Sequence, residues 1–154
     1  MDLKVRFSAE ERLKFVRERF QAGAVIKLDC DFTTPPKPKR LLVVAANRGR
    51  PLLFLINTSP TEFAKNRPRL INQHLPLAKA DENFLDYDSF LDCSTAYDNF
   101  DSREIEKTLA DDTSLFLGNI SRECAAKILE LVADSPTLSR VHIDEISMEI
   151  APLT

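Results

Sequence analysis

Five cations and two hydroxyls stand at the ends of three short apolar runs, and they are the side chains best placed to do chemistry. Lys37, Lys39 and Arg40 lie in the proline-rich turn Thr34–Arg40, between the runs Gly23–Phe32 and Leu41–Ala46. Arg48 and Arg50 flank Gly49 in the next turn, and the third run, Leu52–Ile56, ends on Asn57, Thr58 and Ser59. Read as strands, the three runs share one rim that carries all five cations and almost no acid. Such a rim suits a phosphate-bearing partner, because guanidinium stays charged and donates in a fork that matches phosphate oxygens. His74, in the polar stretch that follows, is a candidate base, since an unperturbed imidazole titrates at about pH 6.5.

Other chemistries lack their residues. His74 and His142 are isolated from further ligand-type side chains at helical spacing, so no metal motif is present. The three glycines form neither a Walker loop nor a dinucleotide fingerprint, and no GxSxG elbow occurs. What remains is chemistry that needs neither cofactor nor metal. RNA cleavage by its own 2′-hydroxyl is one such reaction: it requires a base for that proton, an acid for the departing 5′-oxygen, and cations for the crowded phosphorane.

A chain of 154 residues, 44% hydrophobic and 29% charged, has the composition of one soluble globular domain. Its net charge of −3 argues against a wholesale basic nucleic-acid binder, but charge is unevenly spread. From Thr33 to Leu70 the cations stand against Glu62 alone, whereas Ala80–Asp112 is dominated by aspartate and glutamate. A basic half can meet a polyanion while an acidic half resists non-specific adhesion; two solvated surfaces that neutralise each other would look the same. Cys30, Cys93 and Cys124 are odd in number and widely spaced, which predicts buried thiols in a reducing compartment. No apolar signal region and no membrane-spanning run occurs, so a cytoplasmic protein with no membrane partner is expected.

The elements that must position these residues follow from spacing. Ser8 and Glu11 form a capping box for a helix with Leu13, Val16 and Phe20 on one face, ending near Gly23. Three strands follow, the second and third paired through the Asn47–Arg50 turn. Residues 59 to 74 read as a long loop with a short helical turn. Leu75–Ala78 reads as a proline-bearing edge strand, and Asp88–Thr95 as a half-buried strand. A helix over about Ser102–Ala110, a short strand at Leu115–Gly118 and a helix capped by Ser121 and ending at Ser135 come next. The tail Val141–Ile150 reads as a final strand or a docking segment. The expected unit is a single α+β domain: an N-terminal helix over 1–22, a small, strongly curved antiparallel sheet over 23–120, a helix over 121–135 and a tail over 136–154.

The order of these segments resembles the PemK/MazF toxins. The opening GAVIKLDCDF, a prolyl spacer, KRLLVV, a turn and LLFLINTS resemble the N-terminal half of that family. LDYDSFLDCS stands where it has its central strand, and LFLGNISRECAAKILELV where it approaches a terminal helix. The likeness spans roughly residues 20 to 133 as pattern rather than identity. It implies an SH3-like barrel, a homodimer, metal-independent cleavage of single-stranded RNA and neutralisation by an antitoxin protein; relatives on the same fold poison DNA gyrase instead. It also implies that Arg40 acts on the scissile phosphate and that Thr58 or Ser59 supplies the hydroxyl at the end of the third strand. Lys37, Lys39, Arg48 and Arg50 would track the nucleic-acid strand, with no metal and no cofactor.

The chain departs from the pattern in three places. Ala24 replaces an aspartate, Leu41 replaces a proline, and Cys93–Tyr97 replaces an acid-Gln pair followed by Arg-Ser/Thr. Asp92 lies one residue from the expected acid, and a one-residue shift along a strand turns a side chain to the other face. Phe32 and Phe54 are the aromatics nearest the basic rim. The alternative expectation is a non-catalytic module on the same barrel that binds a protein or nucleic acid.

Overall fold

A computed structural model describes residues 7–33 and 35–154. Helix α1, Ala9–Arg19, starts at the expected box: Ser8 Oγ accepts the Glu11 amide at 3.2 Å and Glu11 Oε1 accepts the Ser8 amide at 3.4 Å. Such a cap contributes about 1 kcal/mol. The helix buries Val16, its C-cap Phe20 is buried too, and the helix is pinned by Arg12, whose Nε donates to the Ala110 carbonyl at 2.9 Å. It stops at Arg19 with Phe20 as its C-cap, three residues short of the expected glycine. Gly23 has a different task. At φ +97° it turns the chain into the sheet, and a Cβ there would meet Leu153 at 2.8 Å.

Six antiparallel strands follow: β1 Ala24–Cys30, β2 Lys37–Ala45, β3 Leu52–Asn57, β4 His74–Leu77, β5 Ser89–Tyr97 and β6 Phe116–Asn119. They lie in the order β4-β5-β3-β2-β1-β6 and curl into a half-barrel, the strongly curved sheet that the pattern predicts. The proline-bearing β4 is indeed an edge strand. Strand β2 begins earlier than expected, so Lys37, Pro38, Lys39 and Arg40 belong to a strand rather than a turn; Thr34 lies outside the described residues. The register explains why Pro38 is tolerated. Pairing of β2 with β3 begins only at Arg40 opposite Ile56, so beyond that point β2 has a free side where a missing N–H costs no ladder bond.

The sheet buries both faces. Leu41, Val43, Leu53 and Leu55 point to one side with Ile26 and Leu28, where they meet α1 and helix α4, Ser102–Asp111. Their alternates Leu42, Val44, Leu52, Phe54 and Ile56 pack on the other side against helices α5, Arg122–Ala133, and α6, Arg140–Ile150. Two buried faces erase the alternation of a half-buried strand and produce the continuous apolar runs of β2 and β3.

The reading of the tail is corrected. The tail is helix α6 rather than a strand or a docking segment: Ser139 Oγ caps it at the His142 amide, 3.2 Å, and Ile143, Ile146 and Ile150 bury at i, i+3 and i+7. The loop over 59–74 contains two single turns, α2 Glu62–Lys65 and α3 Pro68–Ile71, started by a Thr61 cap and by a proline at the first helical position. Among the described residues, no helix is long and apolar enough to cross a membrane.

Candidate functional site

Where β1, β2 and the end of β3 face the connection between β4 and β5, an open cleft of about 370 Å³ is lined by Lys27, Lys37, Lys39, Arg40, Thr58, Asp86 and Tyr87. The ladder explains the crowding of charge. Lys27 is the cross-strand partner of Arg40, and Arg40 in turn is opposite Ile56, which brings Asn57 and Thr58 to the same end of the sheet. Like charges repel across such a pair, so this end is poised to receive an anion.

Arg40 stands between Asp86 and Tyr87. Its Nη2 pairs with Asp86 Oδ2, with the arginine side chain 22% and the aspartate 73% exposed. Its guanidinium carbon lies 6.0 Å from the centre of the Tyr87 ring, and that tyrosine is half-exposed. Its Nε is buried with no acceptor among the described residues. An unmatched buried donor costs about 1–3 kcal/mol. Lys39 Nζ donates to Asn57 Oδ1. Burial, and secondarily the neighbouring Lys37, holds its pKa below the usual lysine value.

The expected residues divide. Lys37, Lys39, Arg40 and Thr58 come together; Ser59 is exposed beside Thr58 but does not line the cleft. Arg48 and Arg50 do not share this rim. They sit at the β2–β3 hairpin, at the far end of a nine-residue strand about 30 Å long. Arg48 Nε pairs there with Glu145 at 3.2 Å, and Arg50 Nη1 donates to the Asp98 carbonyl at 3.2 Å.

His74 is neither exposed nor in a loop: it opens β4 and is buried. Its Nδ1 lies 2.9 Å from the Leu70 carbonyl, and its Nε2 faces Asp92 Oδ2, its cross-strand partner, at 3.6 Å. Asp92 is buried too, and its Oδ1 accepts the Ser94 amide at 2.9 Å together with the Ser94 hydroxyl. This His–Asp–Ser group ties β4 to β5 away from the cleft.

Asp86, Tyr87 and Lys27 are cleft residues that sequence reasoning passed over. Asp86 stands 46 positions from Arg40, inside a stretch whose many acids read as a solvated surface. Phe32 and Phe54 are not free platforms: Phe32 stacks on Tyr97 at 4.7 Å between centroids, and Phe54 is core. The thiols are buried as expected. Burial pushes Cys30 up to about 11, Cys124 up to about 12 and Cys93 well above its ordinary value, so none is a thiolate nucleophile near neutral pH. Among the described residues no cluster of side chains fit to hold a metal ion occurs.

Fold and site together define a curled half-barrel with a cationic cleft at one end of its sheet. Neither protein-family models, nor curated proteins, nor solved structures match the chain.

Proposed function

We propose that this protein is a PemK/MazF-type endoribonuclease that cleaves single-stranded RNA without a metal ion, by attack of a 2′-hydroxyl on the adjacent phosphate. The observation that carries the reading is the convergence of Arg40 and Thr58 with three lysines in one open cleft. Arg40 binds the scissile phosphate and spreads the charge of the phosphorane through the exposed part of its guanidinium. The Thr58 hydroxyl orients a phosphate oxygen, and Lys27 and Lys37 hold the flanking backbone. Tyr87 supplies the stacking surface that single-stranded nucleic acid needs. A cytoplasmic setting, a homodimer and an antitoxin protein as partner belong to the same proposal.

A second reading rests on the Arg40–Asp86 pair. A carboxylate already satisfies part of the guanidinium, as an acidic segment of a partner protein would do on a non-catalytic module of this shape. Incubation of the purified protein with a long single-stranded RNA in EDTA separates the two. Fragments with 2′,3′-cyclic phosphate and 5′-hydroxyl ends, reduced about 100-fold or more in Arg40→Ala, are expected for the nuclease. Intact RNA after prolonged exposure to folded wild-type protein would establish the binding module instead.

A further inference from the structure

We infer that Phe63, Arg67 and Arg69 form a second nucleotide-binding surface beside the cleft, where a single-stranded RNA that leaves the cleft past Thr58 stacks a base on Phe63. The inference rests on the RNA-binding half of the ribonuclease reading.

The segment between β3 and β4 has the composition for it. Ser59–Ile71 carries Lys65, Arg67 and Arg69 against one acid, Glu62. Lys65 is paired with Glu62 at 2.8 Å, which leaves the two arginines as the net charge. Phe63 lies on the single turn α2, started by the Thr61 cap; the turn buries Ala64 and leaves Phe63 62% exposed. A lone exposed phenylalanine is ordinary. This one is organised. The Arg67 guanidinium carbon lies 3.7 Å from the centre of the ring, and its Nη1 donates to the Phe63 carbonyl. An accessible ring flanked by guanidinium groups suits a base, whose face stacks on the aromatic while the adjoining phosphates meet the cations. A protein partner fits less well. The exposed neighbours of Phe63 are Thr61, Glu62, Lys65, Asn66 and Arg67, so no apolar patch surrounds it, and charged residues are depleted at the centre of protein interfaces.

The register connects this surface to the cleft. Leu55 is opposite Asp92, and Asp92 is opposite His74, so the three share one face of the sheet. The Leu70 carbonyl of α3 lies 2.9 Å from His74 Nδ1, which lays the segment on that face. Lys39 and Asn57, each two residues along its strand from the pair Leu41–Leu55, are on the same face and line the cleft. Arg40, opposite Lys27 and Ile56, serves the other face. A strand held by Arg40 that passes Lys39 at the end of the sheet is thus delivered to the side where α2 lies. Five residues separate Thr58 from Phe63, which limits the distance between them to about 18 Å even for extended chain.

The chain contains no tryptophan, so Phe63→Trp places a single indole at the platform. The probe is a labelled 2′-O-methyl oligonucleotide of about ten residues, a length typical of single-strand sites and one that cannot cleave itself. A 2′-O-methyl dinucleotide, long enough for the cleft alone, is the control. The ten-mer is expected to quench the indole and the dinucleotide to leave it unchanged. Ten-mer binding, read by anisotropy, falls about 5- to 150-fold in Phe63→Ala and Phe63→Leu and is retained in Phe63→Tyr, with fold verified by thermal melting. A ten-mer that binds but leaves the indole unquenched, or that binds Phe63→Ala and Phe63→Leu as tightly as wild type, overturns the surface and leaves the ribonuclease reading standing. Quenching by the ten-mer, with unmodified RNA left intact by the wild type, upholds the surface and ends the nuclease reading. A folded wild type that binds no ten-mer ends both.

Discussion

Tyr87 illustrates what a single side chain contributes when topology, rather than sequence neighbours, places it. Its ring is half-exposed beside Arg40, so in the proposed nuclease it would offer a face to a base while the arginine took the adjoining phosphate. Stacking of one base is worth about 1–3 kcal/mol. Tyr87→Ala is therefore expected to raise the KM for RNA about 10-fold with little change in kcat, and Tyr87→Phe to stay near wild type; steady-state kinetics on a short oligonucleotide would show the split. Equal losses in kcat for both variants would place the phenol in the chemistry instead. Arg40 and Thr58 are legible from the chain alone because each borders an apolar run, and the ladder carries both to one end of the sheet. Asp86 and Tyr87 are not, because nothing local marks a residue that meets its partner across 46 positions. His74 shows the converse error: its polar neighbours suggest a loop, yet pairing with Asp92 draws it into the ladder.

Helix α6 is the element whose reading changed most. Its β-branched content, Val141, Ile143, Ile146 and Ile150, favours a strand by propensity, while the spacing of its three isoleucines is that of a buried helix face. Tertiary packing on the sheet decides between them. Once in place the helix clamps the β2–β3 hairpin: Glu149 Oε1 accepts the Ala46 amide at 2.8 Å, Oε2 accepts that of Asn47 at 3.2 Å, and Glu145 holds Arg48. Hydrogen bonds to a charged group contribute about 1.5–3 kcal/mol each before solvent exposure reduces them. Glu149→Gln should thus lower stability by about 1–2 kcal/mol in urea titration and leave the proposed RNA cleavage unaffected, because the hairpin lies at the other end of β2 from the cleft. A loss of cleavage with unchanged stability would contradict that separation. The helix over Ser102–Asp111 and the one capped by Ser121 were legible to within a residue or two, since caps and apolar spacing agree there.

Across the whole molecule the charge has a direction. Lys27, Lys37, Lys39 and Arg40 gather at one end of the sheet, while Arg48 and Arg50 are tied to protein acceptors at the other. If those four cations meet RNA phosphates, the logarithm of the binding constant should fall with the logarithm of salt at a slope of about −2 to −3 for a single strand. Lys37→Ala should flatten it by about 0.7 and Arg50→Ala should not; equal effects of the two variants in a salt titration would contradict the polarity. The separation of a basic from an acidic half is visible in the sequence, but which cations share a cleft depends on strand direction. Sheet order carries one more consequence, and it concerns time. Strand β1 acquires its outer partner only from β6, Ala24 opposite Asn119, just as α1 is held by Ala110, 98 positions beyond Arg12. Pairings this distant fold slowly. On a ribosome that adds about 5–20 residues per second, the outer edge of β1 waits roughly 5–20 seconds for the strand that covers it. For that interval the nascent chain carries an open, apolar strand edge whose protection has not yet been made, and the risk of joining a neighbouring chain is greatest before the cleft exists at all.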